Sequence, residues 1–170
     1  MQPSAPPSRR TVVVVMAIVG TFVLLAAAGA IAWFAGAFDE KSTFDAAPAA
    51  CAPVEPGLGQ LGTGFTTTTD ATTCVVMHGE RTVLRISFKL APTPADASSA
   101  LRKTTEGQAT EVAGLGDLAF RQGPLTVFRI SNLMVLCVVM STDAELKDAG
   151  TTNAQIRVFE AGLAERLAGS

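Results

Sequence analysis

The stretch "CVVMHGERTVLRISFKL", Cys74 to Leu90, decides how this chain folds. Leu84, Ile86, Phe88 and Leu90 alternate with Val83, Arg85, Ser87 and Lys89, the period-two pattern of a strand with one face buried. Just before it, residues 73–77 ("TCVVM") are short and β-branched, and "HGER" at 78–81 supplies a turn glycine, so the two runs predict a hairpin. Thr93, Pro94 and Asp96 then fit a helix start, with a hydroxyl N-cap, a proline at the first helical position and an acid at the third. That helix is expected over 94–106.

The second half repeats this order. "LTVFRI" (125–130) and "LMVLCVVMS" (133–141) are two strands joined at Ser131 and Asn132. "TNAQIRVFEAGLAERLAG" (152–169) is a helix capped by Thr152 or Asn153, with Gly169 past its end and Ile156, Phe159, Leu163 and Leu167 on one face. Because "LMVLCVVM" is apolar at every position, it belongs in the middle of a sheet, with both faces covered or one turned to a partner. Residues 73–170 therefore predict an α+β domain: an antiparallel sheet of at least four strands in two strand-strand-helix units, with helices packed on one face.

Residues 39–72 read as a linker and lead-in segment. Pro48, Pro53 and Pro56 exclude one long helix, a short helix fits Phe44 to Ala52, and "GLGQLGTGFTTTTDATT" (57–73) reads as loop. Further back, Thr11 to Phe38 are 28 residues without a charge. At ~1.5 Å rise per residue, about 20 of them cross a hydrocarbon core of roughly 30 Å. Arg9 and Arg10 precede the run and Asp39 and Glu40 follow it, so the positive-inside rule puts residues 1–10 in the cytoplasm as a short tail, 11–38 across the cell membrane and the domain outside. The competing reading is a cleaved signal peptide with Val12 to Leu25 as its apolar core and "AAAGA" as its cleavage region; "IAWFAGAF" carries the run further than such a signal needs. Pro48 in "APAAC" stands where a lipoprotein signal has an aliphatic residue, so Cys51 is not read as lipidated. Ala28, Ala32 and Gly36 form a small-residue ridge on which two anchors could meet.

Composition narrows the function. From Phe38 onward there are 15 acids against 11 bases, which excludes a nucleic-acid binder and tight docking on anionic headgroups. One histidine and no tyrosine leave the chain short of catalytic side chains. "GLGD" (114–117) lacks the lysine of a phosphate loop; it is a turn motif in which Gly114 and Gly116 supply backbone freedom and Asp117 accepts turn hydrogen bonds. A zinc site at His78 would need all three cysteines, no GxSxG elbow occurs, and Asp143 and Glu145, like Asp39 and Glu40, read as solvated loop or linker. No catalytic residue, metal or cofactor is expected.

The three cysteines all fall outside the predicted span, in an oxidising compartment, and their odd number leaves one over. Cys137, in the middle of the most apolar strand, is the expected leftover. A Cys51–Cys74 bridge then closes the intervening loop and contributes about 3 kcal/mol. Pairing of Cys74 with Cys137 and an intermolecular bridge through Cys51 are the alternatives.

A cysteine early in a Pro/Ala segment, a second cysteine opening a strand, "VAGLGDLAF" (112–120) after a helix, and a strand pair before a C-terminal helix form one pattern. In these features residues 44–168 resemble the small extracytoplasmic lipoproteins and anchored proteins of actinobacteria, and are loosely similar to the extracellular sensor domain of a mycobacterial Ser/Thr kinase. The resemblance implies an envelope location and a non-enzymatic role. The chain departs from it at "APVEPGLG" (52–59), where the family has a short aliphatic helix, and in lacking a lipobox.

The expected function is thus a membrane-anchored extracytoplasmic binding or assembly module of the cell envelope, whose partners are the lipid bilayer and an envelope protein or apolar small ligand. One alternative is a small-ligand or lipid sensor with an apolar cavity lined by Phe88, Phe128 and Met140. Another is an envelope hydrolase, which would gather His78 with a serine and an acid.

Overall fold

Strand β3 (Arg81–Leu90) alternates as its sequence does: Leu84, Ile86 and Phe88 are buried while Arg85 and Lys89 are exposed. The computed structural model describes residues 42–105 and 109–169. Around β3 it builds a seven-stranded antiparallel sheet from β1 (Phe65–Asp70), β2 (Thr73–His78), β4 (Thr110–Glu111), β5 (Leu118–Gln122), β6 (Leu125–Ile130) and β7 (Leu133–Val139), in the order β1-β2-β3-β7-β6-β5-β4. The chain leaves β3 through helix α1 (Pro94–Thr104), reaches the far edge at β4, and meanders back until β7 lies beside β3. Helices α2 (Asp143–Asp148) and α3 (Asn153–Ala168) close it.

The α+β class and the antiparallel sheet agree with the sequence, as do the caps. The Thr93 hydroxyl accepts from the Asp96 amide with Pro94 at the first turn of α1, and the Thr152 hydroxyl accepts from the Gln155 amide at α3. Other expectations are corrected. The sheet of at least four strands has seven among the described residues, with β1, β4 and β5 added to the two predicted pairs. The segment 57–73 is loop only in part: residues 61–64 and 71–72 are turns, but "FTTTTD" is the edge strand β1, whose threonines suit an extended backbone. The folded domain therefore starts well before residue 73, and Val54, Leu61 and Phe65 are buried in its core. The short helix expected at Phe44 to Ala52 is absent; a 3-10 turn at Glu55–Gln60 stands just after it, with Pro56 in its first turn.

Helices cover both faces of the sheet, not one. Register puts Cys74, Ile86, Cys137, Thr126 and Arg121 in one row across β2, β3, β7, β6 and β5, hence on one face. On that side lies α3, whose Ile156, Phe159 and Leu163 join Val135 and Cys137 in the main core. Met134 points to the opposite side and packs with Ala91, Ala97 and Ala100 under α1, while Arg102 of α1 lies over the Phe120 ring. An all-apolar β7 requires this arrangement, since an uncovered face would leave its side chains in water. Beyond α1 the second face is mixed: Thr66, Thr68, Arg85 and Lys89 are exposed there beside buried Val75 and half-buried Leu136 and Val138, and the Arg85–Asp70 pair at 2.6 Å is a solvent-exposed bridge of small energetic value.

Cys51 and Cys74 are bridged, with a Cα–Cα separation of 4.9 Å, and Cys137 is not disulfide-bonded and is buried. Ahead of the bridge, Asn132 holds the lead-in segment: its Oδ1 accepts from the Phe44 amide, and its Nδ2 donates to the carbonyls of Phe44 and Ala91. The predicted tail (1–10) and membrane helix (11–38), with the ridge of Ala28, Ala32 and Gly36, lie outside the described residues, as do Asp39 and Glu40. Among the described residues, no helix is long and apolar enough to cross a membrane.

Candidate functional site

Helix α3 presents an apolar stripe to the sheet, and Glu160, four residues after Ile156, falls on the same side. It is 2% exposed. A carboxylate there is sustained only by partners, because burying a lone charge is costly. Arg121 of β5 provides one: its Nη2 donates to Glu160 Oε2 at 2.6 Å. Thr126, opposite Arg121 on β6, provides the other; its Oγ1 accepts from Arg121 Nε at 3.0 Å while its hydroxyl hydrogen-bonds Glu160. Burial pushes the Glu160 carboxyl above its ordinary range, and Thr126, Arg121 and Arg157 pull against that shift. Behind the pair sits Cys137, directly across from Thr126; burial raises its thiol well above the usual value, and Glu160 adds to the rise.

Above this pair opens a cleft of ≈ 360 Å³ between the β5–β6 turn and the first turns of α2 and α3. Arg121, Thr126 and Glu160 form its floor with Ile156, and Asp143, Asn153 and Arg157 stand on its rim. Asp143 Oδ1 accepts from Asn153 Nδ2 at 2.6 Å, which fixes the rim carboxylate. The site thus has two guanidiniums and two carboxylates, but Glu160 is hidden while Arg121 remains 23% exposed. Its floor shows a cation to anything that enters.

Of the residues singled out from the sequence, Asp143 stands on the rim of this cleft and the others lie elsewhere. Gly114 and Gly116 have φ of +76° and +61°, in the turn before β5. Asp117 serves the neighbouring turn, its Oδ2 accepting from the Ser131 amide at 2.6 Å and from Arg129 Nη1 at 3.3 Å. Cys51 and Cys74 fasten the lead-in segment to the sheet. His78 packs against the Phe65 ring at 5.1 Å and lines a separate open cleft with Glu80, Arg81 and Asp148, to which no serine contributes. Asp143 and Glu145 are helical rather than loop residues, and Glu145 closes a capping box with Thr142, whose hydrogen bonds hold its carboxyl below the ordinary range. Phe128 is fully buried and Phe88 nearly so, whereas Met140 is 50% exposed. Among the described residues, no group of three or more His, Cys, Asp or Glu side chains is placed to hold a metal ion.

The sequence does not single out Arg121 and Glu160. The available signal is a charge at the Ile156 + 4 position of an otherwise apolar helix face, and its partner lies in β5, a strand without an apolar alternation to mark it. Compared with known proteins, the chain matches no family model and no curated protein.

Proposed function

We propose that this chain is a membrane-anchored, extracytoplasmic, non-enzymatic binding or assembly module of the cell envelope. The Cys51–Cys74 bridge carries the reading, since structural disulfides persist in oxidising compartments and this one closes the domain that follows the uncharged run 11–38. The resemblance to actinobacterial anchored proteins points the same way. Support for a protein partner over an apolar ligand comes from Met140, which is 50% exposed instead of lining an enclosed apolar space with Phe88 and Phe128. Support for a non-catalytic role comes from the cleft beside His78, whose lining of Glu80, Arg81, Asp148 and Ala149 brings it no serine.

The test is topological. Protease added to intact wall-stripped cells should digest residues 40–170 and spare the tail. Mature chain recovered from the medium with its first residue between 29 and 38 would overturn the anchor in favour of a signal peptide. Crosslinking from intact membranes should then capture a defined envelope protein; capture of none, with lipid co-purifying instead, would favour the sensor alternative.

A further inference from the structure

The cleft over the Arg121–Glu160 pair has features that packing alone does not require. An apolar residue in place of Glu160 would fill the helix–sheet interface without desolvating two charges. Instead Arg121 is held by two hydrogen bonds, through Nε to Thr126 and through Nη2 to Glu160, so its planar fork is fixed before any ligand arrives. Its carboxylate partner is almost entirely hidden while the guanidinium reaches the cleft, and exposed Arg157 adds a second cation beside it. At the rim, Asp143 is an exposed carboxylate held by Asn153. The lining therefore carries no net charge, two cations balancing two anions. A lone anion would gain at the floor and lose near Asp143; a lone cation would do the reverse. A molecule carrying both charges satisfies both, and ≈ 360 Å³ lies at the small end of ligand pockets, which run from about 300 to 1,000 Å³.

We propose that this cleft binds a small amino-carboxylate, such as a free amino acid, with its carboxylate on Arg121 and Arg157 and its ammonium group toward Asp143. Guanidiniums suit the carboxylate because their parallel N–H groups match its two oxygens. The inference goes beyond the envelope reading and is independent of it, since it concerns the domain wherever the chain resides.

The test is calorimetric titration of the full chain in detergent micelles, with L-alanine as the probe and acetate and ethylamine as its two halves. L-alanine should bind saturably, with acetate and ethylamine each weaker by about tenfold or more. Arg157→Gln, a substitution at an exposed position, should weaken L-alanine and acetate alike by about tenfold, and Arg157→Lys should recover part of the loss. Asp143→Asn should weaken L-alanine by a similar factor and leave acetate unchanged. Absence of saturable L-alanine binding up to about 10 mM overturns the proposal. So does unchanged L-alanine affinity in both Arg157→Gln and Asp143→Asn, and acetate binding as tightly as L-alanine overturns the assignment of the ammonium end. A change in melting temperature without a change in affinity would assign these residues to stability and also overturn it.

Discussion

Two glycines two residues apart are constrained very differently. Gly114 and Gly116 both have positive φ, but a Cβ on Gly114 would meet open space, whereas one on Gly116 would run into the Arg129 carbonyl oxygen. Gly114→Ala should therefore cost about 1 kcal/mol, the left-handed backbone penalty alone, and Gly116→Ala roughly 3 kcal/mol or more, because backbone must also move. Urea unfolding of the two variants checks this, and equal losses would contradict it. Glu160 gives a pH prediction. Its folded carboxyl is raised above the ordinary 4.5 by burial, so the folded state holds its proton longer than the unfolded chain does. Its contribution is fully present below pH 4.5 and is lost as pH rises through the folded value. Glu145 has the opposite sign: hydrogen bonds from Thr142 lower its carboxyl, so its contribution is present above 4.5 and lost as pH falls through the lowered value. Stability measured against pH should then fall less steeply above 4.5 in Glu160→Gln than in the natural chain, with the acid-side loss retained. Parallel curves would show that the Glu160 carboxyl titrates alike in the folded and unfolded chain.

At the scale of elements, the lead-in segment and β1 belong to the fold although they read as linker and loop. Threonines in "FTTTTD" lack the apolar alternation that marks a strand, and one face of β1 is solvated. Pairing with β2 and the disulfide make it a strand, through Phe65 to Asp70 in register with His78 to Thr73. Removing the bridge by Cys51→Ser with Cys74→Ser should cost about 3 kcal/mol, the entropy of closing a loop with a sequence separation of 23. Asn132→Ala should cost about 2 kcal/mol, because it deletes the side chain that satisfies Phe44 and the Ala91 carbonyl from a buried position. Hydrogen exchange in that variant should accelerate first at Phe44 and its neighbours; uniform acceleration across the sheet would show that Asn132 supports the whole fold instead. Helix α1 is a further lesson at this scale. Its buried face is small, chiefly Ala97 and Leu101, so nothing in its sequence announced which side of the sheet it would cover.

For the whole molecule, Cys137 reports on global opening. It lies between α3 and the sheet, fully buried, with its thiol held protonated. Alkylation in the native state should therefore require unfolding, and its rate should fall as global stability rises on withdrawal of denaturant. Fast labelling under native conditions would mean that α3 lifts off separately.

What the sequence determined by itself is local. The alternation in β3, the hydroxyl caps at Thr93 and Thr152, and the apolar stripe of α3 are each set by residues within a few positions of one another. Cys137 is legible as the leftover cysteine for a similar reason, since its immediate neighbours are all apolar. What only tertiary structure decided depends on distant partners. Strand order follows from the passage through α1 to the far edge, which no short window contains. The division of helices between two faces follows from covering both sides of β7. Arg121 and Glu160 stand 39 residues apart in the chain, and each alone resembles a surface charge. Their meaning as a buried pair beneath a cleft arises only when α3 settles on the sheet and takes the water from between them.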